Sequence, residues 1–253
     1  MHQSYIYIAM KTIILLLFIY SPIFLFGQVI ENTSKNSFDF QFRGGLTLAK
    51  RNVIKDHTFE FLSGAGVYKE EILKPGFEMG ADMKYNIFNW LGIGMGLSFS
   101  HLKFSTNIDL TKLEGYQVSI KQSLNYVNLP LSVVFTYPTN TFSPYFKAGI
   151  MFSRLVNARI EKKYKYLDSR EDRNSINDMP EYIAENHFIL IGIGSKISVK
   201  KSLFSIEIGY QKGLKNTYNE EERYSHFPMP VVLVDVPDAF TVDYFQFSLG
   251  WIL

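Results

Sequence analysis

Charged side chains recur at alternate positions in several segments of this sequence. The other residues at the same alternate positions are mostly small or polar. If these segments are strands, the charged residues share one face, and a charge removed from water needs a partner of opposite sign. Four are cations and four are anions, so they can neutralise one another. We therefore predict an internal ion-pair network that closes the interior rather than leaving a conducting pore, made of Asp39, Arg43, Glu78, Asp82, Lys84, Lys147, Lys196 and Glu207.

A second set of cations follows the parity of the apolar residues, just beyond the point where each apolar run ends. Its members are Lys50, Lys103, Lys121, Arg154 and Lys212. At a membrane boundary they could form charge-assisted hydrogen bonds with lipid headgroup phosphates, such as those of lipopolysaccharide. Long basic side chains also extend toward water at any interface without recognising a ligand. Both interpretations stay open at this stage.

Catalytic chemistry finds little support in the sequence. His101 and Ser105 share one face of a segment, as a base and a nucleophile would, but no acid on that face completes the group. The other histidines considered, His57, His187 and His226, lie in separate segments without metal-ligand spacing. Cysteine is absent from the 253 residues, so thiolate sites and disulfides are excluded. We predict a protein that is not an enzyme and holds no metal or cofactor.

The elements that must position these residues show strict alternation of apolar and polar side chains. Phe38, Phe40 and Phe42, for example, alternate with Asp39, Gln41 and Arg43. Period two is the pattern of a β-strand with two different faces. The eight segments that carry it are 38–48, 77–86, 91–100, 121–137, 145–153, 189–199, 204–211 and 244–253.

The connections between these segments alternate in length. Short connections fall at 87–89, 138–143 and 200–202, and long ones at 51–75, 103–120, 156–186 and 213–239. This alternation is typical of outer-membrane barrels, which have short periplasmic turns and long extracellular loops. We predict an all-β, eight-stranded antiparallel up-and-down transmembrane β-barrel. A soluble barrel also alternates, but the glycine, serine and charged residues of the polar face suit a narrow interior better than a water-facing surface.

The N-terminus carries a secretory pattern. Lys11 precedes an apolar run that ends at Phe26, followed by Gly27 and Gln28. We predict a cleaved signal peptide at residues 1–27, with Met10 as an alternative start, and a barrel over residues 28–253. Cleavage would remove one lysine and no acid, which leaves 25 basic and 24 acidic residues. That near-neutral balance gives no support to nucleic-acid binding.

The chain resembles the PorT-like outer-membrane β-barrel family of the Bacteroidota. The residues that carry the resemblance are 126–131 (YVNLPL), 143–149 (SPYFKAG) and 206–214 (IEIGYQKGL). The resemblance implies a cell-envelope protein in the outer membrane, and some members of the family take part in protein secretion across it. Its motifs are structural and imply no activity.

The sequence therefore favours a closed, non-enzymatic barrel whose extracellular loops contact a partner, in a secretion-accessory or structural role. The apolar stretch 229–236 in the last long connection is the strongest candidate for such contact. A small-solute channel is the alternative, and a lipid-modifying enzyme is a weaker one.

Overall fold

The computed structural model describes residues 37–55, 68–112, 115–139, 141–168, 170–176, 183–200, 202–217 and 239–253. All of them belong to one compact unit, Asn36–Leu253. The signal-peptide prediction and the apolar stretch 229–236 lie outside the described residues.

Alternating side chains form long strands along most of this unit. In chain order they are β1 (Ser37–Lys55), β2 (Tyr68–Phe88), β3 (Leu91–Asp109), β4 (Tyr116–Thr136), β5 (Phe142–Tyr166), β6 (Glu171–Ile176), β7 (Glu185–Val199), β8 (Ser202–Gly213) and β9 (Ala239–Ile252).

Antiparallel pairing closes these strands into a ring. Consecutive strands pair with one another except β6 and β7, β9 pairs with β1, and β5 pairs with β7 as well as with β4. The short strand β6 pairs only with β5 among the described strands, so eight strands form the closed barrel. The predicted fold class is confirmed, with β6 as an addition.

The two faces of the strands meet different surroundings. Outward positions carry large apolar side chains that remain exposed, such as Leu97 with 61% of its surface accessible. These residues form an apolar belt around the barrel that covers about ten residues of each strand, for example 38–48 in β1 and 245–253 in β9. Aromatic pairs lie at both edges of the belt, among them Phe38 with Tyr85 and Tyr210 with Phe245.

Two predicted loops are largely strand. The segment 103–120 contains the last residues of β3 and the first residues of β4, with only residues 110–115 between them, and β5 continues to Tyr166 before the chain reaches β6. Strand pairing persists because it satisfies backbone groups outside the belt, and because Ile108, Leu110 and Val118 bury one another. At the β3–β4 turn, the hydroxyl and backbone N–H of Thr111 donate to Asp109 and lower the pKa of its carboxyl.

Two β-bulges change which side chains point outward. In β2 the register with β3 shifts between Lys74 and Phe77. In β5 the register with β4 shifts because Asn125 is paired with Asn157 but Tyr126 is paired with Leu155, which leaves one extra residue on β5. An extra residue on one strand reverses the parity of everything beyond it. Gly76 fits the β2 bulge because a Cβ there would lie 2.0 Å from the carbonyl oxygen of His101.

Candidate functional site: the barrel interior and its rim

The inward-facing charges form ion pairs in the half of the barrel nearest the short turns. Arg43 Nη1 lies 2.7 Å from Glu78 Oε1, and its Nε lies 2.7 Å from Asp82 Oδ2. Asp39 Oδ2 forms ion pairs with Lys196 Nζ at 2.6 Å and with Lys84 Nζ at 3.3 Å.

The fifth contact joins Lys147 Nζ to Glu207 Oε1 at 2.5 Å. The structure thus brings together all eight residues of the predicted ion-pair network. Since a buried charge is stable only when paired and hydrogen-bonded, this arrangement lets the narrow interior hold them.

Two of these five contacts cross the interior rather than joining neighbouring strands. Lys196 on β7 reaches Asp39 on β1, and Lys147 on β5 reaches Glu207 on β8. Neutral groups add further ties, with Gln41 Nε2 donating to Ser205 Oγ at 2.6 Å. These contacts connect strands that are not neighbours in the sheet.

A glycine makes room for one of these ties. A Cβ on Gly250 would lie 2.1 Å from Gln41 Nε2 and 2.4 Å from Ser205 Oγ. The small residues on the polar face therefore provide space for longer polar side chains opposite them.

The ion-pair network borders a small cavity near the short turns. The cavity has a volume of about 60 Å³, enough for a few water molecules. Its lining includes Asp39, Lys84, Tyr145, Lys147, Lys196 and Glu207.

The other half of the interior contains a large cluster of apolar side chains. The Tyr126 and Phe188 rings meet edge to face with centroids 6.2 Å apart, and Phe188 and Tyr244 do so at 5.7 Å. We call this set the interior apolar cluster. Its buried residues are Ala49, Leu102, Phe104, Leu124, Tyr126, Met151, Leu155, Ala158, Ile160, Phe188, Leu190, Phe240, Val242 and Tyr244. Packed side chains thus fill the barrel on the side of the ion-pair network farther from the short turns.

Arg51 lies at the far end of this cluster and was not among the predicted site residues. Its guanidinium donates to Gln122 Oε1 at 3.0 Å and pairs with Glu71 Oε1 at 2.6 Å. The same group lies 5.3 Å from the centroid of the Phe240 ring. Its odd position in β1 continues the inward parity of Arg43 and Thr47, which is the signal that could have identified it.

The second predicted set of cations lies just beyond the apolar belt, at the rim of the barrel, and we call its members the rim cations. All five, Lys50, Lys103, Lys121, Arg154 and Lys212, are exposed, but acidic residues also lie at the rim. Asp243 lies directly opposite both Lys50 on β1 and Lys212 on β8. Arg154 lies opposite Glu185, and Lys121 lies opposite Glu161.

Lys103 differs from the other four rim cations because it lies opposite Lys74 and Ser123. Most of the rim therefore alternates in charge, whereas the surface around Lys103 is basic.

His101 and Ser105 do not come together. His101 Nδ1 contacts Asn125 Oδ1, and its ring lies 5.3 Å from the Phe77 ring. Ser105 is four residues further along the extended β3, about 13 Å away. In the described part of the chain, no group of three or more His, Cys, Asp or Glu residues could hold a metal ion. The same part contains no helix long and apolar enough to cross a membrane.

The fold and the interior define a closed eight-stranded β-barrel, apolar outside and packed within. No protein-family model and no curated protein matches the chain. The PorT-like resemblance therefore stays a prediction.

Several solved outer-membrane proteins are similar to it. The attachment invasion locus protein Ail of Yersinia pestis is 12% identical, covers 86% of this chain and 99% of its own, and gives a TM-score of 0.38. Neisserial surface protein A is 12% identical over 87% of this chain and 99% of its own, with a TM-score of 0.42. OprG of Pseudomonas aeruginosa is 15% identical over 87% and 98%, with a TM-score of 0.42.

Proposed function

We propose that this protein is a non-enzymatic integral β-barrel of the bacterial outer membrane, with a closed interior and a secretion-accessory or structural role. The observation that carries the proposal is the apolar belt, which surrounds an interior of paired charges and packed rings. A soluble barrel turns its apolar face inward, and this one exposes it. The short turns then face the periplasm, and the β3–β4 and β5–β6 hairpins project outward from the cell.

The projecting hairpins provide the surface for a partner. From Arg154 to Tyr166, β5 extends about 40 Å along its length beyond the belt. Three tyrosines cluster there. The ring centroid of Tyr116 lies 5.8 Å from that of Tyr164 and 5.7 Å from that of Tyr166. Tyrosine is enriched in protein interfaces because it combines apolar area with a polar group.

The closed interior predicts no stable conductance in planar bilayers. Ion pairs cross one half of the barrel and the interior apolar cluster fills the other, so no continuous water path is expected. A variant with Tyr126→Ser, Phe188→Ser and Tyr244→Ser lets water replace three packed rings, and it should still not conduct while the ion-pair network closes the other half. Stable, ion-selective openings of the unmodified protein would contradict a closed barrel and favour the small-solute channel.

Partner contact through the hairpins predicts site-specific cross-linking in the native membrane. A photoreactive residue at Leu167, exposed at the β5–β6 turn, should give one reproducible protein adduct. The same group at Tyr137, at a short turn, should not give this adduct. Changing Tyr116, Tyr164 and Tyr166 to Ser should abolish it. Equal labelling at both positions, or no adduct at either, would count against partner contact through the hairpins.

A further inference from the structure

We infer that the outer face of β2–β5 binds a phosphate group of an outer-leaflet lipid. The site is one register row across four strands, in which Lys74 lies opposite Lys103, Lys103 opposite Ser123, and Ser123 opposite Arg159. We call these four residues the phosphate row. Adjacent strands lie about 4.8 Å apart, so the row spans about 14 Å.

Both bulges contribute a cation to this row. Beyond the β2 bulge the parity reverses, so Lys74 points to the same side as the exposed Lys103. Beyond the β5 bulge, Ala158 and Ile160 face the interior and Arg159 faces outward. Bulges commonly redirect a side chain near a functional site. Two independent bulges here redirect cations into the same row.

The two lysines of the row have no acid directly opposite them on the neighbouring strands, unlike the other four rim cations. Lys74 and Lys103 are directly opposite, with Cβ atoms about 5 Å apart, and like charges in this relation destabilise a sheet. Neither lysine has a carboxylate within 4.0 Å among the described residues. An anion between them removes the repulsion.

The row lies at the height of lipid headgroups under the proposed function. One row closer to the short turns, His101 lies opposite Phe77 and Asn125, and Phe77 packs on Phe99 of the belt edge. In the next row away from the membrane, Lys121 lies opposite Glu161. The three cations of the phosphate row thus occupy the boundary between apolar belt and projecting hairpins.

The donor set suits phosphate. Arg159 offers a planar fork of N–H groups, the two lysines offer ammonium donors, and Ser123 offers a hydroxyl. An apolar belt directly below would hold the acyl chains of the same molecule. We therefore assign the ligand as a phosphorylated membrane lipid rather than free phosphate.

This inference rests on the proposed membrane function, and native mass spectrometry of the full barrel released from detergent micelles tests it. The probe is diphosphorylated lipid A, with its dephosphorylated form as the comparison. The test variant carries K74Q, K103Q and R159Q. The matched control carries K50Q, R154Q and K212Q, which removes the same charge from positions that lie opposite acids. Heat-modifiable migration in gels checks that each variant is folded.

We expect about tenfold weaker binding of diphosphorylated lipid A by the test variant, and less than a twofold change in the control. Dephosphorylated lipid A should bind the unmodified protein as weakly as the test variant binds the diphosphorylated form. Equal losses in both variants would overturn the assignment to this row. Displacement of lipid A by millimolar inorganic phosphate would overturn its assignment to lipid.

Two further observations keep the inference distinct from the proposed function. If the triple variant does not fold, K103Q alone should still weaken lipid A binding at least threefold, and unchanged binding would overturn the site. If the barrel inserts into vesicles but binds phosphorylated and dephosphorylated lipid A equally well, only the phosphate site would be refuted. If the protein does not insert into vesicles at all, the proposed membrane function would be refuted as well.

Discussion

Arg43→Met is expected to lower the free energy of unfolding by about 3–5 kcal/mol, because it leaves two carboxylates in the interior without their cation. Glu78 is the more costly of the two, since only 1% of its side chain is exposed. Asp82 loses its contact with Arg43 Nε at the same time. Urea titration of the barrel folded in lipid vesicles would measure the change.

Two further variants separate the burial of these charges from the loss of any ion pair. Lys163 pairs with Glu171 at 2.7 Å, but both side chains are partly exposed, so Lys163→Met should cost less than about 1 kcal/mol. Adding Glu78→Gln and Asp82→Asn to Arg43→Met should recover more than half of the lost stability, because no unpaired charge then remains. A cost for Arg43→Met similar to that for Lys163→Met would show that the ion-pair network contributes little to closing the interior.

Leu97→Arg is expected to destabilise the barrel in lipid vesicles by about 2–4 kcal/mol, because it places a charge near the middle of the apolar belt. Leu97 points outward from β3. Because no interior contact depends on it, the cost should come from lipid alone. Unfolding titrations in vesicles and in a mild detergent would compare the two environments.

The depth of the substitution provides the control. Tyr137→Arg introduces the same charge beside a short turn, at the edge of the belt, where the expected cost is below about 1 kcal/mol. If Leu97→Arg and Tyr137→Arg had equal effects in vesicles, the apolar belt would not lie in the hydrocarbon core. The proposed membrane location would then fail.

Side-chain parity and the alternating lengths of the connections were enough to predict the fold class, and parity alone placed the eight charged residues on one face. Parity was sufficient because, within the belt, one face of each strand is apolar and the other is polar. The alternation therefore shows whether each side chain points outward or into the interior. It could not pair the charges. Lys196 reaches Asp39 only because closure of the ring brings β7 within reach of β1 across the interior, and the register that brings them level is a property of the whole barrel.

Beyond the belt the pattern loses its meaning. Leu102, Phe104 and Phe188 point inward although they are large and apolar, while Lys103 points outward, so the apolar side chains change faces and the strands were predicted to end too early. The bulges were also missed, because one extra residue leaves no clear mark in composition. Lys74 and Arg159 were therefore absent from the predicted rim, although they share a row with Lys103.

The pairing of β1 with β9 determines when the protein can become complete. The first described strand and the last are joined along residues 41–55 and 239–252, so each is the other's neighbour despite their separation in the chain. Until the C-terminal residues arrive, the growing sheet has two open edges that can pair with any other strand. Closure at this seam removes both edges at once and also aligns the β9 side of the interior, where Tyr244 reaches Glu78 on β2. The first and last described strands, which are synthesised far apart in time, are therefore neighbours in the finished barrel, and the barrel closes only when β9 has paired with β1.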